Sequence, residues 1–189
     1  KEKGLEPLAT LLYIQNIYEG TAQDIAAPYI NEEKAVLTAN DALQGAMDII
    51  AETISDNAEY RKYIRNITYR EGFIVTKGTK TNERSPYEMY YDFNEPVKHI
   101  APHRILAINR GEKEEYITVK IEAPVEIILN KLFSKVLKKD ESITTPYVRM
   151  AAEDAYKRLI APSIEREIRA ELTDKGEEQA IKVFASNLH

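Results

Sequence analysis

The chain has 189 residues, room for one large domain or two small ones; 43% are hydrophobic and 30% charged, enough for a buried core in a helix-rich protein. It contains no cysteine, which excludes disulfides, cysteine-ligated zinc and thiol nucleophiles and fits a cytoplasmic home. A net charge of −5 argues against a globally basic nucleic-acid binder, and no apolar run approaches the ~18 residues of a membrane span.

Glu6-Pro7 opens a predicted helix with Leu5, Leu8, Leu11, Leu12 and Ile17 on its buried side and Gly20 as its stop. Thr21–Ala27 reads as a short helix stopped by Pro28, and Asn31-Glu32-Glu33 caps another. Short helices on tight turns suit helix-turn-helix or repeat units. No helix here clusters base-reading side chains, so an irregular helical bundle is the better reading. Thr38 starts a firmer helix with Ala42, Leu43, Ala46, Ile49, Ile50 and Ile54 at spacings of three and four. The small residues Ala42, Gly45, Ala46 and Ala51 allow a neighbouring helix to come close.

Asp56 or Asn57 caps the next helix, to about Arg70, with Tyr60, Ile64 and Ile67 buried. Arg61 and Arg65 stand one turn apart on its outer face, with Lys62 beside them. Tyr60–Arg84 holds seven basic side chains (Arg61, Lys62, Arg65, Arg70, Lys77, Lys80, Arg84) against the acids Glu71 and Glu83. Cations at helical spacing can meet successive phosphates, which makes Arg61, Lys62 and Arg65 the phosphate-contact candidates. A solvated charged face is the plainer alternative.

Gly72 stops that helix and Phe73–Thr76 is β-like. Gly78–Arg84 is a polar loop. Ser85-Pro86 opens a helical turn carrying Tyr87, Met89, Tyr90, Tyr91 and Phe93. These rings could stack bases, but filling a gap between helices is the commoner use. Pro102 starts a helix with Ile105, Leu106 and Ile108, which Gly111 ends. Ile117, Val119 and Ile121 alternate with polar residues as a half-buried strand, expected to pair with Phe73–Thr76 in a two-stranded ribbon. Glu95, His99 and His103 stand four apart, but Pro96 and Pro102 interrupt the helix that would align them on a metal, so no metal site is assigned. His103 is expected to hydrogen-bond near its helix start, and Arg104 and Arg110 to pair with Glu112 or Glu114 or to reach phosphate.

Pro124 opens a helix to about Lys138, with Val125, Ile128, Leu129, Leu132, Phe133 and Val136 on a wide apolar face. Asp140–Thr144 is a linker. Thr145-Pro146 starts one helix and Ala161-Pro162-Ser163 a second, because Pro162 has no amide to donate. Ile164, Ile168, Leu172, Phe184 and Leu188 then recur at multiples of four in one long helix over 162–188. The stripe still runs at His189 without a stop signal, the pattern of a segment from a longer chain. No catalytic or ligand signature stands out along the way.

Three blocks together resemble one family: GLEPLA (Gly4–Ala9), HRILAINRGE (His103–Glu112), and DAYKRLIAPSIEREIRAEL (Asp154–Leu172) with AIKVFASNL (Ala180–Leu188). ALQGAMDIIAE (Ala42–Glu52) and YYDFNEP (Tyr90–Pro96) add to them. Their order and spacing along essentially the whole chain are similar to the Tex family of bacterial transcription accessory proteins. Gly176 departs from the family pattern, where alanine is expected, and a glycine in mid-helix weakens or bends it. The resemblance implies multi-domain, cytoplasmic full-length members. In these a helical N-terminal region precedes an RNase-H-like domain, helix-hairpin-helix modules and an OB-fold RNA-binding domain.

The expected fold is therefore mainly α, an irregular multi-helix bundle with at most a small two-stranded ribbon and a long C-terminal helix. Residues 1–189 form one helical region of a larger protein, with subregions 1–70, 71–123 and 124–189. The resemblance implies a helical scaffold or interaction region of a nucleic-acid-binding transcription accessory protein. Its partners would be RNA or DNA through the full-length protein, the transcription machinery, and other domains of the same chain. No cofactor, small-molecule substrate, membrane role or enzymatic activity is assigned. Paired acids such as Glu114-Glu115 and Glu177-Glu178 read as solvated. His103, Arg104, Arg110, Asp154, Lys157, Arg158 and Arg166 are read as a polar framework between helices. The alternative is that the chain itself binds RNA or DNA through Arg61, Lys62 and Arg65, joined by Arg104 and Arg110.

Overall fold

Several helices begin where a side chain stands in for the missing preceding turn. After α1 (Glu6–Ile14), with Pro7 in its first turn, Thr21 Oγ1 accepts the amide of Asp24 at 3.1 Å and starts α2 (Ala22–Ala26). Thr38 Oγ1 accepts the amide of Asp41 at 3.0 Å and starts α3 (Ala39–Ser55). Asn57 Oδ1 accepts the amide of Tyr60 at 3.0 Å and starts α4 (Ala58–Glu71). Asn31 Oδ1 caps a single 3-10 turn, Glu32–Lys34. All these starts stand where the sequence puts them. The computed structural model describes residues 3–79 and 83–188; Lys80–Asn82 of the expected polar loop lie outside the described residues.

β1 (Phe73–Gly78), β2 (Asp92–Pro96), α5 (Pro102–Lys113), β3 (Ile117–Glu122), α6 (Val125–Val136), α7 (Thr145–Asp154) and α8 (Ala161–Ser186) follow. The protein is mainly α, with a small antiparallel sheet. Its residues divide into two units: Lys1–Arg61 with Glu126–Pro162, and Lys62–Val125 with Ser163–His189.

In the first unit α3 is the centre and touches α1, α2 and α7. Ala42, Ala46 and Ala51 are buried, and a Cβ on Gly45 would overlap the Leu5 side chain. Leu8, Leu12, Ile50, Ile54, Ile128 and Leu132 are buried in the same unit. Burial of apolar surface, worth about 25 cal/mol per Å², is the main favourable term. The expected run of α1 to Gly20 is corrected. α1 ends at Ile14 because Gln15 turns left-handed, with φ 56°. The buried Gln15 amide donates to Tyr13 O and Val136 O, both at 3.0 Å, and its Oε1 accepts from Lys138 N at 3.2 Å. A polar side chain satisfied on both sides can be buried at little cost, and here it ties α1 to the end of α6.

The linker before α7 is likewise a buried network. Thr144 Oγ1 donates to Leu12 O at 2.8 Å, and Thr145 Oγ1 accepts from Ser142 N at 2.9 Å. Thr145 is thus the first residue of α7 and not its cap. α8 begins at Ala161, where the sequence puts its start, but no break precedes it. Residues Ala155–Ile160 wind as a π-helix, with Ala161 N bonding Tyr156 O five residues back. This shift of register carries the helix through a residue with no amide to give.

In the second unit the sheet has three strands, not two, in the order β2-β1-β3, all antiparallel. β2 escapes sequence reading because it is short, half polar and ends in Pro96, a composition tolerated on an edge strand. Gly111, expected to end α5, lies buried inside it: a Cβ there would sit 3.1 Å from both Ile117 and Tyr87. Gly176 has the same role on α8, where a Cβ would stand 2.9 Å from Pro102 O and 3.1 Å from Leu106 Cγ. Both glycines permit close approach. Ile164, Ile168 and Leu172 are buried as the stripe on α8 predicts, but Ile181, Phe184 and Leu188 are 68%, 68% and 70% exposed.

Candidate nucleic-acid interface

The cap at Asn57 sets the phase of α4 and so the direction of its basic residues. Arg61 belongs to the first unit, where its guanidinium donates to Ser55 O at 3.1 Å, a carbonyl at the C-terminal end of α3. Lys62 is exposed. Arg65 lies in the second unit, paired with Glu171 and, at 3.6 Å, with Glu167, both on α8. The outer-face reading of Arg65 is thereby corrected: it ties α4 to α8, because residues 167 and 171 are one helical turn apart and offer two carboxylates.

Arg104 stands on α5 with Nη1 4.0 Å from Glu95 Oε2 on β2 and its guanidinium over the Phe93 ring, 5.5 Å from the centroid. Of its expected partners, Glu112 or Glu114, the first is taken instead by Arg169 of α8. Arg169 reaches both carboxylate oxygens, at 3.0 and 2.8 Å, and donates to Asn109 Oδ1 at 2.9 Å. Asn109 Nδ2 donates in turn to Thr173 Oγ1 at 2.8 Å. Sequence reading missed this α5–α8 clamp. The signal was present: Arg169 directly follows the buried Ile168, so its head must find partners at the helix contact. Arg110 is exposed. The five candidate cations thus fall into separate settings, with Arg61, Arg65 and Arg104 engaged by the protein itself.

The remaining polar framework is partly within one helix. Arg158 holds Asp154 through Nε at 3.1 Å and Nη2 at 2.8 Å, and Lys157 holds Glu153 at 2.7 Å. The Asp154 bond, with Asp48 and Glu52 of α3 acting at longer range, raises the Arg158 guanidinium above its ordinary pKa. His103 and Arg166 are exposed. Glu95, His99 and His103 occupy β2, a 3-10 turn and α5, three separate elements.

Two of the rings fill space, as the plainer reading expected, while Tyr91 and Phe93 are half-buried and Met89 is exposed. Tyr87 and Tyr90 are buried; Tyr90 meets Phe93 edge-on at 5.2 Å and Tyr87 tilts against Tyr116 at 5.7 Å. A hydrogen bond to Glu114, more than burial, pushes the Tyr87 phenol up from its ordinary value. Buried faces cannot take a base between them.

Among the described residues no helix is long and apolar enough to cross a membrane. The Tex central region-like family matches residues 19–184. The chain is 45% identical to the uncharacterized protein YdcI of Bacillus subtilis over all of its own length and 26% of that protein's. It is 27% identical to the transcriptional accessory protein Tex of Neisseria gonorrhoeae, over 99% of itself and 25% of the relative. It is 28% identical to the human S1 RNA-binding domain-containing protein 1, over 82% of itself and 17% of the relative. The chain therefore spans about a quarter or less of the length of these relatives, and with a family match over most of its length it belongs to the Tex family, as a Tex central region-like segment.

Proposed function

We propose that this region is a helical scaffold of a nucleic-acid-binding transcription accessory protein, one that holds other modules and does not itself grip the nucleic acid. The observation that carries this reading is the internal engagement of the candidate cations. Arg65 is spent on Glu167 and Glu171, Arg104 on Glu95 and Phe93, and Arg61 on a helix-end carbonyl. Phosphate contact by any of them would have to compete with these neighbours for the same guanidinium. The relatives' names support the nucleic-acid association of the whole protein, through a transcriptional accessory protein and an S1 RNA-binding domain protein. The cytoplasmic home and contact with the transcription machinery follow from the same reading.

The test uses the full-length protein with Lys62→Ala and Arg110→Ala combined, since both side chains are exposed and their loss spares the fold. RNA and duplex DNA affinity should stay within about twofold of wild type. A loss of about tenfold or more, with a shallower salt slope, favours the alternative that Lys62 and Arg110 touch phosphate.

A further inference from the structure

The first unit carries an apolar groove that none of the preceding roles uses. It is a cavity of about 410 Å³ lined by residues of α1, α3 and the start of α4. Ala9, Tyr13 and Ile14 line it from α1, Ile49 and Ile50 from α3, and Tyr60 from α4. Tyr13 and Ile14 remain 42% and 40% exposed although they are bulky and apolar. Thr10, Thr53 and Asn57 add hydrogen-bonding groups along it. The nine residues of α1 make a wall about 13 Å long, room for roughly two turns of an added helix.

Charge narrows what would fill it. Residues 1–60 contain eleven acidic side chains against Lys1, Lys3 and Lys34, a formal balance of −8 in a chain whose total is −5. Glu6 lines the groove. Asp56 and Glu59, both exposed, flank the lining residues Asn57 and Tyr60 in sequence, and the Glu59 charge is felt at the Tyr60 phenol. An apolar cleft between helices with an acidic surround suits an amphipathic helix that has bulky side chains at i, i+3 and i+7 and cations on its flanks. It does not suit a nucleic acid, which the same acids would repel.

We propose that the α1–α3 groove is a docking site for a basic amphipathic helix of a partner protein. The proposal gives the scaffold reading a partner class and can fail separately from it, because nucleic-acid affinity plays no part in its test. The probe is a fluorescent Leu/Lys peptide of about eighteen residues, with leucine at helical spacing, titrated into the intact chain by polarisation. Controls are the same composition scrambled and a Leu/Glu version. Saturable one-to-one binding is expected for Leu/Lys only. Ile14→Asp should weaken it about tenfold while adding negative charge, and Glu6→Gln about twofold. If Ile14→Asp lowers the melting temperature, Tyr13→Ala serves as the comparison. Equal binding of the scrambled peptide, or no effect of either groove substitution, overturns the proposal in favour of general acidic attraction. Dimerisation of the peptide-free chain that Ile14→Asp abolishes also overturns it, by giving the groove to a second copy.

Discussion

At the scale of single residues, buried polar side chains do as much to define this protein as its apolar ones. Arg169 is a half-buried case: its side chain, 23% exposed, reaches both oxygens of Glu112 and the Asn109 carbonyl. Arg169→Ala would take this partner from the half-exposed Glu112 and from Asn109 Oδ1 at the α5–α8 contact. It should cost about 1–3 kcal/mol in urea unfolding, and Arg169→Lys, which cannot fork, should recover less than half. A second test turns on Gly176. Alanine gains roughly 0.5–1 kcal/mol of helix propensity, but its Cβ would meet Pro102 O at 2.9 Å, a backbone atom that can move only with α5. The clash wins, and Gly176→Ala should destabilise by about 1 kcal/mol net; a stabilised variant would show that α5 yields freely. Tyr156 and Tyr60 both have phenols raised from 10.0 by burial first. A raised native value stabilises fully below the unfolded value and is lost as pH climbs above it. Stability should fall once pH exceeds about 10, and Tyr156→Phe, which removes one of these shifted phenols, should lose less stability over that range than wild type in urea unfolding.

At the scale of elements, the helix starts were legible because each is written locally, in Thr21, Thr38 and Asn57. Helix ends were legible only in part: Gly72 stops α4 at Glu71, as expected, but others depend on distant residues. Gln15 halts α1 through bonds to Val136 and Lys138, residues more than a hundred positions away. Gly111 looked like a stop and is a spacer against Tyr87 and Ile117. Pro162 looked like a break and is absorbed by a π turn. The third strand was hidden by its proline and its polar residues. In each case local propensity was overruled by what packs alongside. α8 lets this be measured on one stripe. Ile168→Ala, at a fully buried site, should cost about 2–5 kcal/mol, whereas Phe184→Ser, at a site 68% exposed, should stay within about 0.5 kcal/mol. Equal costs at the two positions would mean that the C-terminal half of α8 packs in solution.

At the scale of the whole molecule, HRILAINRGE and most of the α7–α8 blocks that carry the family resemblance fall inside the matched region, residues 19–184, whereas GLEPLA lies before it, in the part covered by the relatives that align over the whole chain. The basic face did not read as cleanly. Spacing alone put Arg61, Lys62 and Arg65 on one surface, but spacing cannot reveal that α8 presents Glu167 and Glu171 to Arg65. Sequence shows where charge is, and only the fold shows what has already neutralised it. The most direct test is a titration of the intact 189-residue chain with labelled single-stranded RNA and duplex DNA at about 50 mM salt, where phosphate contacts are strongest. The scaffold account predicts no saturable signal up to about 10 μM. Saturable sub-micromolar binding that weakens steeply with salt, and that Lys62→Ala with Arg110→Ala removes, would contradict it.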